Sequence, residues 1–125
     1  MAAEDIKSLL IDILNSSKKE ITIKDNYVGK ELLDILKIIN KKITIISKNI
    51  DEKLKEKYEK QYNNIIFVNN NSFHDRFIII DNEILYHCGA SFKDLGKKCF
   101  AITKIGDKEI LYKIIKHIII AQIKN

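Results

Sequence analysis

The apolar residues of this chain switch repeatedly between helical and strand spacing, and this alternation limits the folds that the chain can adopt. Leu and Ile recur every three or four positions in residues 4–16 and again after Gly29, whereas β-branched residues dominate residues 19–24 and 42–47. Strands that alternate with helices pair in parallel, because each helix returns the chain to the same end of the sheet. The first half of the sequence therefore predicts parallel strands with helices packed on them.

The second half of the sequence adds a hairpin to this sheet. Residues 73–81 are predicted to form a strand, residues 81–83 a turn, and residues 84–88 the returning strand. The antiparallel pair makes the sheet mixed, so we expect an α/β fold with a mixed, mostly parallel sheet and helices on both faces. The remaining predicted elements are a helix capped by Asp51 that runs to about residue 62, strands at 64–69 and 99–105, and a helix at 106–124.

Length and composition indicate a single globular domain that covers residues 1–125. Hydrophobic residues make up 46% of the chain and charged residues 31%, the balance of a soluble protein. No apolar run approaches the ~20 residues that span a bilayer, and the N-terminus does not resemble a signal peptide, so we expect a cytoplasmic location. The opening Met-Ala-Ala suggests that the domain is excised from a longer protein.

Cysteine usage agrees with that location. Cys88 and Cys99 are the only cysteines, and the cytoplasm keeps thiols reduced. We expect free thiols, while a disulfide stays open as the alternative if the two strands are neighbours. Two cysteines without a matching pair of histidines do not form a zinc site, so we expect no metal and no other cofactor.

The side chains best suited to binding or catalysis belong to the predicted strand at 73–81. His74 and Arg76 are two positions apart and share one strand face. An imidazole beside a guanidinium can hold a phosphate, with the imidazole as nucleophile or acid and the guanidinium as anchor. Asp81 has the opposite parity, so it can serve this site only from the turn or by orienting other groups. Arg76 is the only arginine among 22 lysine and arginine residues, which indicates that its position requires a bidentate cation.

The spacing of these residues, H-x-R-x-x-x-x-D, resembles the H-x-K-x-x-x-x-D signature of the phospholipase D superfamily. In that family the histidine attacks a phosphodiester, the lysine holds the phosphate oxygens, and the aspartate supports them. The resemblance implies catalytic roles for His74, Arg76 and Asp81, with Arg76 keeping the positive charge of the family lysine. It also implies one half of a phospholipase D fold.

A segment of small residues after the hairpin extends the resemblance. Family members carry Gly-Gly or Gly-Ser followed by Asn, and this chain has Gly89-Ala-Ser91 with no clear counterpart of the asparagine. The resemblance implies that Gly89, Ser91 and the nearby Lys93 bind phosphate or substrate together with Arg76. Lys93, with Lys97 and Lys98, either guides a phosphodiester or is a solvated loop lysine.

Further residues are candidates for the phosphate site because of their position in the predicted sheet. Open α/β sheets bind ligands at the carboxyl ends of their strands, where Asp25 and Tyr27 follow the first strand. His87, on the returning strand of the hairpin, either reaches the same pocket or is a satisfied strand residue. We expect His117, in the last helix, to have no part in the site.

Three functions are compatible with these residues. The first, which the resemblance implies, is a metal-independent phosphodiesterase, such as a nuclease, in which two motif copies combine across a homodimer and His74 is the nucleophile. The second is a catalytically silent module of a larger protein that binds phosphate or nucleic acid and dimerises. Arginine in place of lysine and the missing asparagine favour this second function slightly. The third is dimerisation alone. The net charge of +5 permits contact with nucleic acid or another phosphodiester.

Overall fold

The computed structural model describes residues 3–26, 28–48, 50–70, 76–89 and 101–124. In these residues, six strands form one sheet and four helices pack against it. The helices are α1 (Ala3–Asn15), α2 (Lys30–Leu36), α3 (Glu52–Gln61) and α4 (Lys108–Lys124). The strands are β1 (Glu20–Lys24), β2 (Lys42–Ser47), β3 (Ile65–Asn69), β4 (Phe77–Ile80), β5 (Ile84–Cys88) and β6 (Ile102–Ile105).

The strands lie in the order β3-β2-β1-β4-β5-β6. β1 pairs with β2 and β2 with β3 in parallel, whereas β4 pairs antiparallel with β1, and β5 and β6 continue antiparallel. The predicted mixed α/β sheet is confirmed. Parallel pairing is confined to its first three strands, because β4 enters beside β1 in the opposite direction, so the described sheet is not mostly parallel.

Strand alternation decides which helices each sheet face contacts. Ile21, Ile23, Ile78 and Ile80 face one core with α1, α2 and α3, and we call this side the three-helix face. The opposite side, the α4 face, carries a smaller core. Its buried members are Ile46, Phe77, Ile79, Leu85, Leu111 and Ile118. Helices therefore cover both faces, as predicted.

Most predicted boundaries agree with the described elements to within a few residues. Asp51 caps α3 as expected, because its carboxylate accepts hydrogen bonds from the backbone of Lys53 and Leu54. α2 ends at Leu36, and Ile39, three residues beyond its end, is also buried. The first residues of the predicted strands at 73–81 and 99–105 lie outside the described residues.

α4 is the longest of the described helices, and it lies across the α4 face. Leu111, Ile118 and Ala121 are buried against the sheet, while Lys108 donates a hydrogen bond to the carbonyl of Glu83 at 2.8 Å. Within the part of the chain that the structure describes, no helix has both the length and the apolar character needed to cross a membrane.

Candidate phosphate-binding site

The candidate site lies at the edge of the sheet where β1 ends and β4 begins. Lys24 pairs with Phe77 across these antiparallel strands, so the next residues outward, Asp25 and Arg76, are neighbours. The backbone of Cys88 donates a hydrogen bond to the carbonyl of Arg76 at 3.0 Å, which adds the end of β5 to the same edge. Strand alternation places Asp25, Arg76 and Cys88 on the three-helix face. We call this group of three residues the Arg76 edge.

Among the described residues, the guanidinium of Arg76 has few hydrogen-bond partners. Its Nη2 donates a long hydrogen bond of 3.4 Å to the carbonyl of Gly89, and its Nε is buried without any hydrogen-bond partner. The one ion pair found between described residues joins Lys37 to Asp34, on another part of the surface. A guanidinium carries five N–H donors, so Arg76 retains most of its capacity to bind an oxyanion.

Gly89 lies beside Arg76, but its backbone is already engaged in hydrogen bonds. Its N–H donates to the carbonyl of Ala101 at 2.8 Å, and its own carbonyl accepts from Arg76. A Cβ added to Gly89 would meet Ala101 at 3.6 Å, an ordinary contact distance. In this conformation Gly89 therefore positions the arginine and has no free N–H for a phosphate.

Asp81 occupies the hairpin turn at the opposite end of β4. Its carboxylate accepts hydrogen bonds of 2.8 Å from the Ser17 hydroxyl and from the backbone of Lys18 and Lys19, and one of 2.9 Å from the backbone of Glu20. Three of these donors belong to the loop between α1 and β1, and the fourth, Glu20, is the first residue of β1. The contacts of Asp81 therefore tie that loop to the hairpin.

The turn itself needs residues that accept left-handed backbone conformations. Asp81 and Asn82 have φ values of 54° and 56°, and the N–H of Glu83 donates to the carbonyl of Ile80 at 2.9 Å. Asp and Asn adopt this conformation more readily than most residues. Asp81 follows Arg76 by five positions along the strand, which corresponds to roughly 16 Å. One phosphate cannot contact both side chains.

The electrostatics of Asp81 reflect its hydrogen bonds. Burial acts to raise the pKa of its carboxyl, but hydrogen bonds from Lys18, Glu20, Lys19 and Ser17 outweigh burial and hold this pKa well below its usual range. The carboxylate is therefore ionised at neutral pH.

Cys88 and Asp25 form the buried side of the Arg76 edge. Burial and the nearby Asp25 carboxylate raise the pKa of the Cys88 thiol, whereas Arg76 acts to lower it. The resulting pKa of this thiol is about 12. The thiol is free and protonated at neutral pH, so it is a poor nucleophile. Asp25 lies at the predicted edge but is fully buried, because β1 is a central strand of the sheet.

His87 lies on the other face of the sheet from the Arg76 edge. It pairs with Phe77, which belongs to the core under α4, and its side chain is exposed. This position favours the structural alternative for His87. His117 is an exposed residue of α4, away from the site. The other candidates lie outside the described residues: His74, Ser91, Lys93, Tyr27, Lys97, Lys98 and Cys99.

Sequence reasoning missed Lys24, the last residue of β1. Its side chain is fully buried and its Nζ donates a hydrogen bond to the Asn26 side chain. A buried ammonium must be paired, so this bond helps to fix the carboxyl end of β1. The only sequence signal is that Lys24 ends a β-branched run, and a solvent-facing lysine shows the same signal.

No protein-family model and no curated protein matches the sequence. Solved structures do match. NucT from Helicobacter pylori is similar with a TM-score of 0.68 and 16% identity, over 92% of this chain and 86% of that chain. Nuc from Salmonella typhimurium, a phospholipase D family member, is similar with a TM-score of 0.64 and 18% identity, over 89% and 82%.

A third similar structure is TrmBL2, an archaeal chromatin protein with a novel mode of DNA binding. Its TM-score is 0.61 at 13% identity, and the match covers 93% of this chain but 45% of that chain. The described sheet and helices therefore agree with what the motif implied about the fold. This chain has the fold of the phospholipase D superfamily.

Proposed function

We propose that this chain is a phosphodiester-recognising domain whose anchor is Arg76. The observation that carries the proposal is the guanidinium just before β4, which forms one long hydrogen bond with the described residues and has no partner for its Nε among them. A buried donor without an acceptor costs roughly 1–3 kcal/mol. A phosphate oxygen would remove this cost, and a guanidinium binds two such oxygens at once.

His74 supplies the chemistry in this proposal. It precedes Arg76 by two residues, so along an extended backbone the imidazole and the guanidinium project to the same side. An imidazole nitrogen attacks phosphorus, the bond to the leaving oxygen breaks, and a second imidazole donates a proton to that oxygen. Water then cleaves the phosphorus–nitrogen bond. No step requires a metal ion.

The second imidazole comes from a second copy of the chain. The sequence holds one copy of the motif, and a two-fold axis brings two copies together without further sequence. The proposed enzyme is therefore a homodimer in which the two His74 side chains face each other. Ser91 and Lys93 complete the proposed phosphate contacts, while Gly89 holds the arginine.

Asp81 has a supporting role in this account. Its four hydrogen bonds tie the hairpin turn to the first residue of β1 and to the loop before it, and this fixes the register between β4 and β1. The register in turn sets Arg76 beside Asp25. Asp81 therefore acts on the site through the position of β4 and not through contact with the substrate.

The alternative function is a catalytically silent module that binds phosphate or nucleic acid. TrmBL2, a DNA-binding chromatin protein, has a similar fold, which supports nucleic-acid binding for this chain as well. Arginine in place of the family lysine supports the same alternative, because a flat guanidinium suits bidentate binding. Both functions share the Arg76 anchor and differ in whether His74 reacts.

Binding of a fluorescent single-stranded oligonucleotide tests the shared anchor. Arg76→Ala should weaken binding about tenfold to a hundredfold, as expected for the loss of a charge-assisted contact. Lys60→Ala, which removes one positive charge from the exposed surface of α3, is the matched control and should change binding by less than about twofold. Equal effects of the two substitutions would show that net charge, and not the Arg76 site, governs binding.

A further inference from the structure

The outward side of α4 exposes several large apolar residues. Tyr112 is 62% exposed, Ile119 51%, Ile120 41% and Ile123 77%. Positions 112, 119 and 123 are seven and four residues apart, so they lie along one side of the helix. We call these four residues, together with the exposed Lys113 and Lys116, the α4 outer surface.

Lysines accompany these apolar residues, whereas acids are nearly absent. Lys113 and Lys116 are exposed between the apolar positions, and Glu109 is the only acid in the sequence of α4. A surface helix of a globular protein normally turns its charged side to solvent and its apolar side inward. The inward side of α4 is apolar as expected, because Leu111 and Ile118 are buried against the sheet. Its outward side, however, also presents apolar side chains to solvent.

We propose that the α4 outer surface binds an anionic lipid surface, with the helix lying in the plane of the interface. The isoleucines and Tyr112 would enter the boundary between headgroups and acyl chains, while Lys113 and Lys116 would meet lipid phosphates. An anionic lipid surface complements this helix, because it offers an apolar region to the isoleucines and negative charge to the lysines. The helix lies on the membrane in this arrangement, in keeping with the lack of a spanning helix among the described residues.

Charge and chemistry disfavour the other occupants. A second copy of the chain would bring the lysines of two outer surfaces together, and like charges repel across an interface. Nucleic acid would pair with the lysines but offers no partner for three isoleucines, because bases stack on aromatic rings. An anionic bilayer satisfies both kinds of side chain.

Sedimentation with lipid vesicles tests this proposal. Vesicles of phosphatidylglycerol and phosphatidylcholine should bind the full chain, and vesicles of phosphatidylcholine alone should bind it at least about tenfold more weakly. The double substitutions Ile119→Ser/Ile123→Ser and Lys113→Glu/Lys116→Glu should each lower binding about tenfold or more. Tyr112→Ser, at a third exposed position, provides an independent variant.

Matched controls come from other parts of the surface. Ile38→Ser removes an isoleucine that is 67% exposed outside α4, and Lys53→Glu/Lys60→Glu reverses two exposed charges on α3. Both controls should bind vesicles within about twofold of the unchanged protein, because surface substitutions away from the contact have small effects. Far-ultraviolet circular dichroism should confirm that every variant is folded.

Three results would overturn the proposal. The first is failure of the unchanged protein to prefer anionic vesicles. The second is a loss of vesicle binding in Arg76→Ala, which would place lipid headgroups in the candidate phosphate site. The third is dissociation of a dimer by Ile119→Ser/Ile123→Ser without any change in vesicle binding, which would identify the surface as a self-association site. The proposal stands apart from the function proposed for Arg76, because the two surfaces share no residue.

Discussion

Arg76 and Asp81 belong to one sequence motif but have opposite surroundings. Among the described residues, Arg76 forms a single long hydrogen bond, whereas the Asp81 carboxylate accepts four hydrogen bonds from the protein. Their positions along the predicted strand already indicated that Arg76 and Asp81 point to opposite faces of the sheet. The structure adds the physical reason: Arg76 has few hydrogen-bond partners among the described residues, whereas the Asp81 carboxylate is hydrogen-bonded within the fold.

Substitutions at His74 and Arg76 separate the two candidate functions. His74→Ala should abolish hydrolysis of a diester such as bis(p-nitrophenyl) phosphate, because no other histidine follows the same spacing to a cation. Arg76→Lys should raise the rate if the arginine restrains catalysis, and it should weaken binding if the site depends on a bidentate contact. Activity that survives His74→Ala and disappears with a chelator would contradict the mechanism.

The residue that sequence reasoning placed least well is Lys24. A lysine at the end of a strand is ordinarily solvent-exposed, but Lys24 ends a central strand, with β2 on one side and β4 on the other, and it is fully buried. Asp25 shows the same effect: its place at the edge followed from the strand order, but its complete burial did not. Burial at this edge depends on tertiary neighbours that local patterns do not encode.

At the scale of elements, the helix and strand periods predicted most of the architecture. The parallel arrangement of β1, β2 and β3 followed from alternation, and the β4–β5 hairpin followed from the turn at residues 81–83. The pairing of β4 with β1 did not follow, because it joins segments more than 50 residues apart through side-chain and backbone contacts. The hydrogen-bond donors to Asp81 could not be predicted for the same reason, since they lie 61 to 64 residues away in the sequence.

The link between the hairpin and the loop before β1 should contribute measurably to stability. Asp81→Ala removes the acceptor of four hydrogen bonds and places alanine at a positive φ, so we expect a loss of about 2–4 kcal/mol in the free energy of unfolding. Asp81→Asn tolerates the backbone conformation and should lose less. Urea denaturation measures both, and Glu56→Gln, at an exposed position of α3, is the control.

The same link predicts a pH dependence. The pKa of Asp81 is lower in the folded chain than its ordinary value of 3.8, so the unfolded state takes up the proton first as the pH falls. The stability that Asp81 contributes is therefore present above about pH 4 and is lost as the pH falls below the ordinary value toward the folded pKa. Urea denaturation at neutral pH and near pH 3 should show a smaller difference between Asp81→Asn and the unchanged protein at the lower pH. A difference that stays constant would contradict the assignment.

At the scale of the whole molecule, the proposed mechanism requires a symmetric pair of chains, because the sequence holds one copy of the motif. A two-fold axis would bring the two Arg76 edges together and complete the site. Analytical ultracentrifugation at high micromolar concentration should show a dimer. A monomer at all concentrations would remove the two-histidine mechanism and leave the silent binding module as the better account.

Ligand placement at Arg76 tests the central claim most directly. A crystal structure of this chain with inorganic phosphate should show the anion within hydrogen-bond distance of the Arg76 guanidinium, with Nε among its donors, and with the His74 imidazole on the same side. Phosphate that is absent from this position at millimolar concentration, with Arg76 paired instead to a carboxylate such as that of Asp25, would contradict the account.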